Sequence, residues 1–185
     1  MRFPVYTTCA ALLSSLVLGL AACDQSPPAA THLPVPAPSR SPAPGYPPAV
    51  AQRLGSTAFY LTLPAGFALK STDAADFLVF YFAPADTTVQ ADFTGGIYLG
   101  SQPQGDGADP PGNCRTRRAT VPLLGRPTPV TVHRCATGYT VSSVFASGSG
   151  QGWDAQVEAF GEAKSAAGLR QLLAVLATLR RRPAP

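Results

Sequence analysis

The chain has 185 residues, with 14 Lys or Arg against 10 Asp or Glu, 20 prolines, 17 glycines and 13% charged side chains. A formal charge of +4 is too small to argue for nucleic-acid binding. So many prolines and glycines with so few charges suit a fold of strands and turns.

At the amino terminus Arg2 is the early charge, and an apolar run from Ala10 to Leu20 leads into Leu20-Ala21-Ala22-Cys23. About 11 apolar residues fall short of the roughly 20 that cross a bilayer as a helix, but they suit the core of a signal peptide. Read more widely, Val5 to Ala22 is diluted by Thr7, Thr8, Ser14 and Ser15. The order charge, apolar run, Leu-Ala-Ala-Cys resembles a bacterial lipoprotein signal peptide with its lipobox. The resemblance implies diacylglyceryl attachment to the Cys23 sulfur, cleavage before Cys23 and acylation of the new amino terminus. Each buried methylene adds about 0.8 kcal/mol of membrane affinity, so several chains hold firmly where one holds weakly. Residues 1–22 are therefore expected to be removed and Cys23 to anchor the chain to a bacterial membrane, facing the periplasm. An ordinary secretory signal cut nearby would instead leave a free thiol at Cys23. Asp24 resembles an inner-membrane retention signal of enteric bacteria; inner and outer membrane both stay open.

Residues 23–53 form the next unit. Nine prolines from Pro27 to Pro48 alternate with Ala and Ser, which lack the apolar mass for a core and favour an extended polyproline conformation. At about 3.1 Å per residue such a tether reaches on the order of 90 Å. His32, Arg40 and Tyr46 within it need no role beyond solvation, although a proline ligand for a partner's aromatic groove is the alternative.

Residues 54–185 are expected to form one domain of about 130 residues, enough to bury a core without metal. Phe59, Leu61 and Leu63 alternate as one face of a half-buried strand. Pro64-Ala65-Gly66 fits a type I turn, after which Phe67-Ala68-Leu69 resumes as a short strand. Phe77 to Phe82 is apolar on both faces and reads as a central strand covered on both sides. Gly96 to Leu99 is the next strand, with Gly95 and Gly96 marking a bulge or a close approach. The long loop from Ser101 to Asn113 carries Asp106 and Asp109, but its Pro110-Pro111 pair and the lack of a Glu at position 12 speak against a calcium loop.

Cys114 and Cys135 are placed symmetrically about Leu124-Gly125. A hairpin turning there sets the cysteines opposite one another, Arg115 opposite Arg134, Thr116 opposite His133, Arg117 opposite Val132 and Ala119 opposite Val130. The face with Ala119, Val121, Val130 and Val132 should point inward, leaving the disulfide, His133 and Arg118 toward solvent. An exported compartment permits the bond. Pro122, Pro127 and Pro129 suit a hairpin at a sheet edge.

Tyr139, Val141, Ser143 and Phe145 make one face of a further strand. Trp153, Ala155, Val157 and Ala159 make one face of the next, joined by an odd-length loop centred near Ser149 or Gly150. A final helix is capped by Ser165, striped by Leu169, Leu172, Leu173, Leu176 and Leu179, and closed by Arg180-Arg181-Arg182 and Pro183. The order implies an α+β fold: an antiparallel sheet of about seven strands with a C-terminal helix on one face. The run Phe59 to Phe67, the meander and the basic-ended leucine helix resemble the PsbP-like sandwich family, except that no long helix stands between Gly66 and Phe77. That resemblance implies an assembly or interaction module without enzymatic activity.

Two functions follow. The first is a lipid-anchored cell-envelope protein with a non-enzymatic binding domain and no cofactor. The second is a small envelope hydrolase using a carboxylate pair drawn from Asp73, Asp76, Asp86, Asp92, Asp154 and Glu158. The domain's single histidine, His133, and the absence of His-Glu-x-x-His or Cys-x-x-Cys speak against a zinc site, a serine-type triad or a resident metal. Charge suggests a partner surface. Leu54 to Gly112 has one Lys against six Asp, whereas Asn113 onward has ten Lys or Arg against three acids. Arg115 directly across from Arg134 costs a few tenths to about 1 kcal/mol. Either Asp106 or Asp109 offsets it, or Arg115, Arg117 and Arg134 form a contact patch for an acidic envelope protein or polymer.

Overall fold

The computed structural model describes residues 49–103, 105, 113–149 and 152–182. Cys23, the tether up to Pro48, Asp106, Asp109 and Pro183 lie outside the described residues. In chain order the elements are β1 (Val50–Arg53), β2 (Phe59–Leu63), β3 (Phe67–Asp73), β4 (Phe77–Pro84) and β5 (Phe93–Gly100). They continue as β6 (Arg115–Leu123), β7 (Arg126–Cys135), β8 (Gly138–Ala146), β9 (Gln156–Ala163), α1 (Ala166–Leu176) and β10 (Arg180–Arg181). Seven strands form an antiparallel sheet in the order β3-β4-β5-β9-β8-β7-β6, and β1-β2-β10 form a second sheet. The fold is α+β, mainly β, with one C-terminal helix packed on the sheet. The three-stranded sheet was not foreseen, and its β1 takes up the last four residues read as tether.

One face of the large sheet holds the core. Phe80, Ile97, Ala159 and Ser143 lie side by side across β4, β5, β9 and β8, all buried. The helix lies on this face. Its Leu169, Leu172, Val175 and Leu176 are buried, and Gly161 on β9 lets it come close, since a Cβ there would stand 2.8 Å from a Leu172 methyl. The Ser165 hydroxyl accepts from the Gly168 amide at 3.0 Å, the expected N-cap.

The expected end of the helix is corrected. It stops at Leu176, and Leu179 is buried beyond it. Arg180 and Arg181 pair with Tyr60 and Phe59 as a strand, while the Arg180 guanidinium donates to the Ala177 and Leu179 carbonyls. Thr178 makes the junction: its hydroxyl donates to Val175 O at 2.6 Å and accepts from the Thr62 amide at 2.9 Å.

Alternation in β2 is as read, with Phe59, Leu61 and Leu63 buried. The turn after it sits one residue later than expected. Phe67 N donates to Pro64 O, and Gly66 at φ +80° occupies the third position, the signature of type II, not type I. β5 runs through Gly95 and Gly96 in regular register, so these glycines mark close approach, not a bulge.

The β6–β7 hairpin has the expected register throughout, from Arg115 opposite Arg134 to Leu123 opposite Arg126, and Cys114 is disulfide-bonded to Cys135. Leu124 at φ 52° and Gly125 at φ 76° form a two-residue turn whose twist matches the strands. β6 is the sheet edge, and Pro127 and Pro129 precede Thr131, where β7 begins to pair with β8. Gly125→Ala should cost about 1 kcal/mol, because a Cβ meets no atom within 4 Å there and the left-handed backbone alone opposes it. Urea unfolding reads the loss; an unchanged midpoint would contradict the turn.

Trp153 does not lie on a strand. Ala155 N donates to Gly152 O, a turn that holds Trp153 and Asp154 off the ladder, and Trp153 is 48% exposed. The β8–β9 register, Ala146 opposite Gln156, centres on position 151 instead of 149 or 150.

Candidate functional site

The second face of the large sheet is where sequence expectation and structure part most. β4 was read as covered on both sides. Its inner residues Phe80 and Phe82 are buried, yet Tyr81 on the outer face is 47% exposed and Phe77 is half-buried. The rings on this face owe their arrangement to two glycines of β5. Tyr81 stands opposite Gly96, and Gly96 opposite Phe160 of β9. With no side chain at 96, the Phe160 ring lies over the gap, 2.5 Å from where a Cβ would be, and Tyr81 meets it edge to face at 5.8 Å between centroids. Gly100, opposite Phe77, repeats the device: the Tyr98 ring leans across it and stacks on Phe77 at 5.6 Å.

Between these ring pairs Val79, Tyr98 and Glu158 lie in one cross-strand row. Glu158 is only 9% exposed although it faces away from the core. Asp76 and Gln102 join the four rings, Val79 and Glu158 around a groove of about 530 Å³. The site thus combines aromatic faces, two phenol hydroxyls, an amide and two carboxyl groups, and among the described residues no lysine or arginine lines it.

Of the six candidate carboxylates, the structure brings Asp76 and Glu158 to this groove. Asp86 and Asp92 lie along another, of about 720 Å³, between α1 and the loop after β4. Both already have partners: the Thr88 hydroxyl and amide hold Asp86 below the usual carboxylate range, and Ser165 donates to Asp92 at 2.7 Å. Asp73 is exposed at the end of β3, and Asp154 is half-buried in the Gly152 turn. Among the described residues no cluster of three metal-ligating side chains occurs, and no helix is long and apolar enough to cross a membrane.

His133 is corrected too. It lies on the outer face but is 9% exposed, its Nδ1 paired with the Thr116 hydroxyl directly across the hairpin at 2.8 Å. Gly105 lies near this strand pair, where a Cβ on it would stand 3.5 Å from Val144. The three arginines are brought together as expected. Arg115 and Arg134 face one another, Arg117 follows on the same side opposite Val132, and all three are exposed.

The sequence reading missed the aromatic groove. Its signals were present as an apolar run with no polar alternation at Phe77–Phe82, glycines spaced four apart in one strand, and Phe160 set between Ala159 and Gly161. Comparison with known protein families, proteins and solved structures finds no match.

Proposed function

We propose that this chain is a lipid-anchored protein of the bacterial cell envelope whose domain binds and does not catalyse. The observation that carries the binding role is the open sheet face: four rings held by glycine gaps beside two carboxyl groups, with Tyr81 exposed among them. Apolar residues exposed singly are ordinary, but rings clustered on one face mark an interaction surface, and aromatic clusters are where interfaces concentrate their energy. The anchor at Cys23 rests on the lipobox, and the likeness to PsbP-like proteins favours an interaction module. The arginine patch of Arg115, Arg117 and Arg134 is a separate contact for an acidic envelope partner.

A photocrosslinking residue at Tyr81, introduced in intact cells, tests the reading together with Cys23→Ser. We expect adducts from positions 81 and 117, and release or non-processing of the Cys23→Ser protein; no adduct from position 117 removes the arginine patch. No adduct from position 81 removes the binding face. An unchanged membrane fraction carrying unmodified, correctly cleaved protein removes the anchor.

The shared groove position of Asp76 and Glu158 favours one second reading, the carboxylate-pair hydrolase. Turnover of a purified envelope saccharide that is lost in Asp76→Asn would replace binding with catalysis.

A further inference from the structure

We infer that the apolar groove beside α1 is occupied by this chain's own proline-rich segment, Pro44-Gly45-Tyr46-Pro47-Pro48, folded back onto the domain. The groove, of about 720 Å³, lies between α1 and the loop after β4, and Pro64, Phe67, Pro84, Val89, Phe93 and Val175 give it apolar walls. Phe67 and Phe93 stack on one another at 4.8 Å, so they serve as one fixed wall and not as open ring faces. The two carboxyl groups along the groove are held by the domain itself, Asp86 by Thr88 and Asp92 by Ser165. Among the described residues no lysine or arginine lines it, so an uncharged, largely apolar occupant suits it.

The place where the tether joins the domain names that occupant. Ala49 itself lines the groove, and Val50 beside it pairs with Leu63, the neighbour of Pro64. Pro48 is therefore attached at the groove's edge, and the residues before it meet the groove with almost no loop to close. A segment attached so directly stands at an effective concentration in the millimolar range, which a free partner seldom matches.

The segment's chemistry matches the groove. Pro44 to Pro48 carries no charge, and Pro44, Pro47 and Pro48 have no N–H to leave unpaired on burial. Extended proline-rich segments dock through this combination, with their rings against an apolar groove and their carbonyls on side-chain donors. Gln90 and Gln171 bring amide donors to the groove, and Tyr46 brings an apolar ring with a hydroxyl for its rim. Five residues extend about 16 Å, enough to run beside the end of α1 from Thr178 back to Gln171, about 10 Å. Neither the outer sheet face nor the anchor at Cys23 enters into this contact.

The test uses the full exported chain, held in phosphatidylcholine nanodiscs so that no detergent enters the groove, or free in buffer should it carry no lipid. A photocrosslinking residue replaces Tyr46, and an equal mixture of isotope-labelled and unlabelled protein is irradiated and mapped by mass spectrometry. Adducts are expected within single chains, from position 46 to residues 86–93 or 171–178, at a yield unchanged by dilution of about tenfold. Ala174→Arg places a long charged side chain at an exposed position in the groove and should lower that yield about fivefold or more, with the fold retained by circular dichroism. As a second measurement, Gly and Ser in place of residues 44–48 should speed hydrogen exchange in the loop after β4 about threefold or more. Equal exchange in the two chains overturns the docking. So do adducts that join only labelled to unlabelled chains, which name a second copy as the occupant, and adducts confined to another protein or to other parts of the domain. Protection that persists in the Gly and Ser chain and disappears when the lipid is removed assigns the groove to an acyl chain and likewise overturns it.

Discussion

Phe82→Ala is expected to cost the domain about 3–5 kcal/mol. Phe82 is fully buried on the inner face of β4, opposite Gly95. Its ring occupies the space above that glycine, so closely that a Cβ at 95 would stand 2.5 Å from it. Gly95 has no side chain to move into the vacancy, and Gly161, next along the row, has none either. The cavity therefore stays open, which puts the cost at the upper end of the range. One residue earlier, Tyr81→Ala removes a larger side chain from the exposed face and should change stability by no more than about 1 kcal/mol. Urea unfolding of the two variants side by side checks both, and a Phe82→Ala loss below that of Tyr81→Ala would mean the two faces have been assigned the wrong way round.

Replacing Cys114 and Cys135 together by serine is expected to remove about 3 kcal/mol, the value that chain entropy assigns to closing a loop of this size. The cysteines are 21 residues apart and close the open end of the β6–β7 hairpin. Directly inside the bond, Arg115 faces Arg134, a like-charged pair that works against the hairpin. Without the crosslink that end is held by hydrogen bonds across an edge strand, and the arginines push it apart. Melting should fall by about 10 °C or more. The drop should shrink at high salt, where exposed charges are screened. Equal melting of the native and doubly substituted proteins would show that the hairpin is held by packing alone.

The sequence was most informative where a single constraint spans many residues. Cysteines equidistant from Leu124-Gly125 determine the pairing of every residue from Arg115 to Leu123, and the whole register is found as expected. Phe59, Leu61 and Leu63 and the Ser165 cap were equally legible, because alternation and capping are local. What failed depends on distant partners. The helix ends at Leu176 because Thr178 and Arg180 are claimed by β2, more than a hundred residues earlier in the chain. Alternation continued through Trp153 to Ala159 on paper, but period-two patterning does not mark where a strand begins, and a turn intervenes. At Phe77–Phe82 the pattern is correct in chemistry and misleading in consequence: an unbroken apolar run implies burial on both sides, yet one side is the candidate site.

The order β3-β4-β5-β9-β8-β7-β6 also sets a timetable. β4 and β5 each lie beside the strand before them, and so do β7, β8 and β9, so two separate ribbons, β3 to β5 and β6 to β9, can form by local hairpins as the chain emerges amino terminus first. Among the described strands, the two ribbons are joined by β9 against β5. Until residues 156–163 arrive, the free edge of β5 and its apolar side, including Ile97 and Leu99, have no partner. The late strand thus falls at the centre of the sheet, between an early ribbon rich in acidic residues and a later ribbon rich in basic ones. Opposite charge favours their approach before any hydrogen bond is made. Closure is a slow, long-range step. It also assembles the groove: Tyr81 and Tyr98 belong to the first ribbon, whereas Phe160 and Glu158 come with the strand that completes the sheet.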